Sequence, residues 1–291
     1  MINSKKIYTL LLICSVFLLL TGCQERYTVE RQFETDYYSG IKLDLEGSTR
    51  DISVENWDND FIHVVTQING YGETQKEARR IAEGTEIDFD YSKSNNSLVI
   101  RSIVPDKGSR TGAVVSYSLK MPEDFSADIK NSTGDIKLEN VVGDLNLRSS
   151  TGDIETGTVR GDVDINISTG DVYLEEVFGS LNLEGSTGDV VFDYLEGKVN
   201  IDVSTGDIEG KLDLTAGYNS ITSSTGDISL NFTNRSSIYF QVETSTGDIS
   251  VNRLGMELYQ IEDDVIEGRI GEGRADLIIE TSTGDINLIG N

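Results

Sequence analysis

Aspartate recurs in this chain at a spacing that chance cannot produce. Ser-Thr-Gly-Asp occurs eight times, beginning at Ser132, Ser150, Ser168, Ser186, Ser204, Ser224, Ser245 and Ser282. The first four intervals are 18 residues, and the rest are 20, 21 and 37. The aspartates are Asp135, Asp153, Asp171, Asp189, Asp207, Asp227, Asp248 and Asp285. If the repeats stack in register, these carboxylates form a column. Like charges ~5 Å apart repel by about 1 kcal/mol even in bulk water, so something must offset them. One solution is calcium held between turns, as in repeats-in-toxin proteins. Here, however, one glycine occurs per nine residues and the Asp directly follows Gly. The other solution is local: each carboxylate accepts backbone N–H and hydroxyl hydrogen bonds from its own turn and the next. The motif threonines would then form a hydroxyl ladder beside it. No resident cofactor is expected, calcium being the one cation the turns could take.

Other chemistry is scarce. His63 is the only histidine, so a His-based triad or a multi-histidine metal site is excluded. Its neighbours Ile62 and Val64 suggest an exposed strand position. The Gly-Asp turns lead into strands, whereas phosphate loops open helices. Paired carboxylates could support glycoside hydrolysis, but with 50 acidic residues such pairs are inevitable and uninformative. A polysaccharide-active enzyme is therefore a distant alternative, and no catalytic residue is assigned. Tyr173, Tyr194, Tyr218 and Tyr239 fall on different repeats without a shared column. Phe192, Phe232 and Phe240 fit the inward phase of their strands.

The elements that position the aspartates are legible in the same repeat. Nine residues after each early motif glycine comes another: Gly134 and Gly143, Gly152 and Gly161, Gly170 and Gly179, Gly188 and Gly197. An alternating segment follows each, such as Ile136 and Leu138, Leu145 and Leu147, or Leu181 and Leu183. Period two marks a half-buried strand. One coil is thus two short strands and two glycine turns, about 18 residues. A single coil cannot cover its apolar face, so coils must stack at ~4.8 Å. The expected fold is all-β: a parallel two-sheet β-solenoid, β-roll-like, over residues 126–291.

A small β-rich region with one helix is expected before it, over residues 37–125. Ile41–Leu45, Ile52–Val54, Ile62–Ile68, Ile87–Tyr91, Leu98–Val104 and Val114–Met121 read as strands. Thr74–Glu83 reads as a helix, with Thr74 and Glu77 forming a capping box and Gly84 stopping it. Ser48-Thr49-Arg50-Asp51-Ile52 is a degenerate motif, with Arg50 in place of glycine. Lys107–Gly112 is a basic loop. Gly255–Gly273 should form a protruding loop or hairpin, and Asp276–Leu288 should close the end.

The N-terminus carries an export signature. Lys5 and Lys6 precede the apolar run Ile7–Leu20, which at 14 residues suits a signal peptide and is too short to span a bilayer. Leu20-Thr21-Gly22-Cys23 resembles a bacterial lipobox. That implies a signal over residues 1–22, lipidation at Cys23, and a tether over residues 23–36. Cys14 would leave with the signal, so the mature chain would hold no thiol pair. With 24 basic and 50 acidic residues, the formal net charge is −26. Such a surface disfavours nucleic acid and anionic polymers and attracts cations and basic proteins.

Taken together, Gly47-Ser48 to Val54, Trp57-Asp58, the helix around Glu77–Ala82, the strand ending at Pro122 and the serial Gly-Asp-aliphatic strands resemble the "putative adhesin" family of β-strand-repeat proteins. The resemblance runs from Phe33 to Leu288. It implies no catalytic residues and no agreed ligand, and some members resemble components of envelope-stress systems. The expected function is a lipid-anchored, extracytoplasmic surface-binding, adhesion or envelope-scaffold module. Its partners would be the membrane, through Cys23, and a surface ligand or envelope protein.

Overall fold

The computed structural model describes residues 24–290 apart from 49, 106, 107, 109, 253, 254 and 263. The leader and Cys23 lie outside the described residues, as do Thr49 and Lys107. The chain divides into two compact units, Met1–Glu139 and Asn140–Asn291.

The first unit contains β1 (Glu25–Asp36), β2 (Ile41–Ser48), β3 (Ile52–Asn56), β4 (Phe61–Gly72), α1 (Gln75–Gly84), β5 (Glu86–Ser92), β6 (Ser97–Ile103), β7 (Gly112–Met121), β8 (Phe125–Asn131) and β9 (Ile136–Leu138). Its strands run in the orders β1-β4-β7-β3-β9 and β8-β2-β6-β5. The β1-β4-β7 and β5-β6 pairings are antiparallel, and β7-β3-β9 and β8-β2-β6 are parallel. Among the described residues α1 is the one α-helix. Thr74 caps it by accepting the Glu77 N–H at 3.2 Å. The Glu77 carboxylate accepts from Glu73 N–H, one residue before the cap. The stop is Thr85 rather than Gly84: its N–H and hydroxyl both donate to Ile81 O at 2.9 Å. Ala78, Ile81 and Ala82 are the buried stripe. Gly70 on β4 permits the approach, because a Cβ there would lie 2.4 Å from Ala78 O.

Residues 25–36, expected to be a tether, instead form β1, paired with β4 along its whole length. Tyr27 and Phe33 are buried. The charged residues between them masked a strand whose inward positions are only partly apolar. The unit boundary also falls later than residue 125, because β8 pairs with β2 and β9 with β3.

The second unit begins with β10 (Val141–Val142), β11 (Leu145–Thr151), β12 (Ile154–Arg160), β13 (Val163–Thr169) and β14 (Val172–Phe178). It continues with β15 (Leu181–Thr187), β16 (Val190–Glu196), β17 (Val199–Thr205), β18 (Ile208–Asp213), β19 (Gly217–Thr225) and β20 (Ile228–Phe232). The last elements are β21 (Ile238–Thr244), β22 (Ile249–Asn252), β23 (Met256–Ile261), β24 (Val265–Ile270), β25 (Ala275–Thr283) and β26 (Ile286–Gly290). These form a two-sheet parallel solenoid. One sheet runs β12-β14-β16-β18-β20-β26-β22, and the other β11-β13-β15-β17-β19-β25-β21-β24-β23. Leu147, Ile165, Leu183 and Ile201 stack in register and are buried. Phe192 is buried opposite Gly210, where a Cβ would lie 2.1 Å from the ring. The large residue on one coil is thus accommodated by the missing side chain on the next.

The C-terminal end differs from expectation. β25 lies between β19 and β21, and β26 between β20 and β22. The last segment of the chain therefore inserts between two earlier coils, and β21–β22 is the outer one. This accounts for the 37-residue interval between the last two motifs. The hairpin β23–β24 joins the edge of β21 antiparallel, extending the sheet.

Candidate functional site

In the second unit, neighbouring motif turns are joined by two backbone–backbone hydrogen bonds and one from a backbone N–H to an aspartate side chain. The Gly170 N–H donates to Thr187 O at 3.0 Å, and the Val172 N–H to Asp189 O at 2.8 Å. The amide between them in the neighbouring coil, Asp189 N–H, would have no backbone acceptor. The Asp171 carboxylate supplies it at 2.8 Å. The same bond runs from Asp171 to Asp153, Asp207 to Asp189, Asp227 to Asp207, Asp285 to Asp227 and Asp248 to Asp285, all at 2.7–2.8 Å. Seven predicted aspartates therefore form one ladder, in the order 153, 171, 189, 207, 227, 285, 248. Each link is a charge-assisted bond, which offsets repulsion along the column. The eighth, Asp135, lies in the first unit, where its N–H donates to Asp51 Oδ1 at 3.2 Å. Ile52 N–H donates to Asp135 O there, so the degenerate motif makes the aspartate link and the backbone bond that follows it.

Glycine is required by two independent constraints. Gly170 has φ +140°, which side-chain-bearing residues rarely adopt. A Cβ at this position would also lie 2.2 Å from Gly152 O. The motif threonines stack in register, but their side chains are exposed, and the turn uses their carbonyls. The hydroxyl contacts come from two residues before the motif's threonine: Ser223 donates to Gly206 O, Thr281 to Gly226 O and Thr244 to Gly284 O.

The second glycine turn of each coil is present as its spacing predicts, but its aspartate links were not legible. Asp162 N–H donates to Asp144 Oδ1 and Ser180 N–H to Asp162 Oδ1. Ser180 and Lys198 then replace the aspartates, and Asn219 Oδ1 accepts the Val199 N–H at 2.9 Å. The signal was a second Gly-Asp at Gly143 and Gly161, hidden because only two copies exist.

The aspartates of the motif edge are exposed. Among the described residues, no group of three or more His, Cys, Asp or Glu side chains is placed to hold a metal ion. His63 is half-buried, with Nδ1 3.1 Å from Glu34. Phe192, Phe232 and Phe240 are buried. Tyr218 and Tyr239, which share no column in the sequence pattern, both stand in register with Asp276 and are exposed; the inserted β25 places them in one column on either side of Asp276.

One buried charge stands apart from the edge. Asp213, 2% exposed, pairs with Arg235 and accepts from the Tyr194 hydroxyl at 3.1 Å. Arg235 also reaches Glu196 at 2.9 Å. The loop carrying Arg235 is fixed by Ser236, whose hydroxyl donates to Leu212 O at 3.0 Å.

Among the described residues no helix is long and apolar enough to cross a membrane. The model of the Toastrack DUF4097 family matches residues 41–289. No curated protein matches the chain. A solved structure from Bacteroides fragilis, named a putative adhesin, is 13% identical, with 89% of this chain and 97% of that one covered and a TM-score of 0.45. One from Parabacteroides distasonis, named a putative lipid binding protein, is 11% identical, covers 89% and 96%, and has a TM-score of 0.42.

Proposed function

The chain belongs to the Toastrack DUF4097 family, and from this premise we propose that it is a lipid-anchored, extracytoplasmic binding module of the cell envelope. The anchor is Cys23, through the lipobox that ends the apolar leader. The observation that carries the binding role is the constancy of the coil. The same turn circuit links successive motifs of the second unit, so the turn backbone is satisfied internally and exposed side chains are free to vary. Such a scaffold displays side chains on a rigid sheet. Solved structures with this kind of fold carry adhesin and lipid-binding names, which agrees with a surface role. The acidic charge favours a basic or cationic partner over nucleic acid.

The test has two parts. Cys23→Ser should shift the protein from the membrane fraction to the soluble one, and retention after a high-salt wash would refute lipid anchoring. Pull-down from intact cells, with calcium and with chelator, should recover the same partner in both. A partner or a melting temperature that depends on calcium would assign the aspartate edge to cation binding instead.

A further inference from the structure

The first unit contains an open cleft of about 460 Å³ whose lining includes Tyr37, Trp57, Asp58, Asp60, Pro122 and Glu123. That volume is within the range of small-molecule sites. The aromatic walls are fixed and their polar atoms already committed. Trp57 Nε1–H donates to Phe61 O at 2.9 Å, its backbone N–H donates to Met121 O at 3.2 Å, and Phe61 packs edge-on at 4.5 Å. The Tyr37 hydroxyl donates to Asp124 O at 2.6 Å, and its backbone N–H to Asp60 O at 3.0 Å. What these two residues offer a ligand is ring surface.

The acids are in the opposite condition. Asp58, Asp60 and Glu123 are exposed, and among the described residues none of their side chains has a hydrogen-bond or ion-pair partner. They do not converge into a metal-binding group. The cleft thus combines rigid aromatic surface with three uncompensated negative charges spread around it. A neutral sugar would stack on the rings and donate hydroxyl hydrogen bonds to the acids, but would leave their three negative charges unneutralised. A divalent ion would use the charges and leave the rings idle. A compact alkylammonium uses both, because π faces and carboxylates each attract a cation and the alkyl body packs on Trp57, Tyr37 and Pro122.

We infer that this cleft binds a small organic cation, an ammonium group carried on an apolar body. The inference rests on the binding-module reading and deepens it by naming a ligand class. The cation could be free in solution or be a lipid headgroup, and the chemistry is the same.

Trp57 is the chain's single tryptophan, so intrinsic emission reports from the cleft itself. The protein carrying Cys23→Ser is titrated with choline and with its neutral isostere 3,3-dimethylbutanol. The expected result is a saturable emission change with choline and at least tenfold weaker binding of the isostere. The combined variant Asp58→Asn, Asp60→Asn, Glu123→Gln should weaken choline binding at least tenfold with its melting temperature unchanged. Trp57→Phe, followed by calorimetry, should weaken it too. Co-sedimentation with phosphatidylcholine vesicles, but not phosphatidylglycerol vesicles, would identify a headgroup source, whereas binding of choline alone would identify a soluble one. Equal binding of the isostere, no binding of choline in either form, or full choline affinity in the carboxylate variant overturns the inference. If that happens while intact-cell pull-down still recovers a partner, the module reading stands and the cleft assignment alone fails.

Discussion

At the scale of single residues, glycine and aspartate in the turn do different work. Gly170→Val combines an unfavourable φ with a clash against Gly152 O, and should cost roughly 3 kcal/mol or more. Asp171→Asn keeps an acceptor for the Asp189 N–H and removes one charge of the column. It should lie within about 1 kcal/mol of the wild type. Melting curves with calcium and with chelator check both, and severe loss in Asp171→Asn under either condition would refute this account of the ladder. Arg235 answers the buried Asp213, so Arg235→Gln strands that carboxylate. The melting temperature should fall by several degrees, and adding Asp213→Asn should restore part of it; an unchanged single variant would show that the pair is dispensable. The Tyr194 hydroxyl beside them is pushed up to about 12 by burial, then by its hydrogen bonds to Glu196 and Asp213 and by their charges. The unfolded phenol titrates near 10, so the stability gained from neutral Tyr194 is whole below about pH 10. It is lost as pH rises through the folded value. Between those limits the melting temperature should fall more steeply in the wild type than in Tyr194→Phe, and parallel curves would remove the hydroxyl from the argument.

At the scale of elements, strand phase was legible because alternation is strict where both flanks are turns. Leu147, Ile165 and Leu183 are inward as their spacing requires. β1 was missed because its inward face carries few large apolar residues, and its pairing with β4 is a long-range choice that no local pattern announces. Side-chain ladders on the outer face were equally silent. Asn182 looks like an ordinary surface position between Leu181 and Leu183. In the fold its amide donates to Asp164 at 3.1 Å, and its carbonyl accepts from Asn200 at 2.8 Å. Asn182→Asp would set a carboxylate against Asp164 on the adjacent strand and should cost about 1 kcal/mol, more than a bland surface change. Leu183→Asp buries an unpaired charge and should cost about 4 kcal/mol or more. Chemical denaturation ranks the two, and equal losses would mean that the inward phase of β15 is wrong.

At the scale of the whole molecule, the repeat count was readable but the order of the last coils was not. Every motif carries the same Gly-Asp-aliphatic signal, so nothing in the residues says which coil follows which in space. The 37-residue interval looked like a detour before a closing coil. It is instead the length of chain needed to lay down β21–β22 and the β23–β24 hairpin before β25–β26 returns between coils. This order makes the C-terminus structural in a way a terminal coil is not. Among the described residues β22 pairs with β26 alone, and β21, whose other partner is the hairpin strand β24, reaches β19 only through β25. The aspartate ladder passes from Asp227 to Asp248 through Asp285. Removing residues 275–291 should therefore do more than fray an end, because β21–β24 would lose their connection to β19–β20. Hydrogen exchange on the truncated chain should show protection lost over residues 238–270 and kept over residues 145–205, whose partners remain. Were β25–β26 a simple outer cap, residues 238–252 would keep their protection after the truncation. That outcome would mean that β21–β22 can dock directly on β19–β20, and that the inserted coil is an addition to the stack rather than the piece that joins its last members.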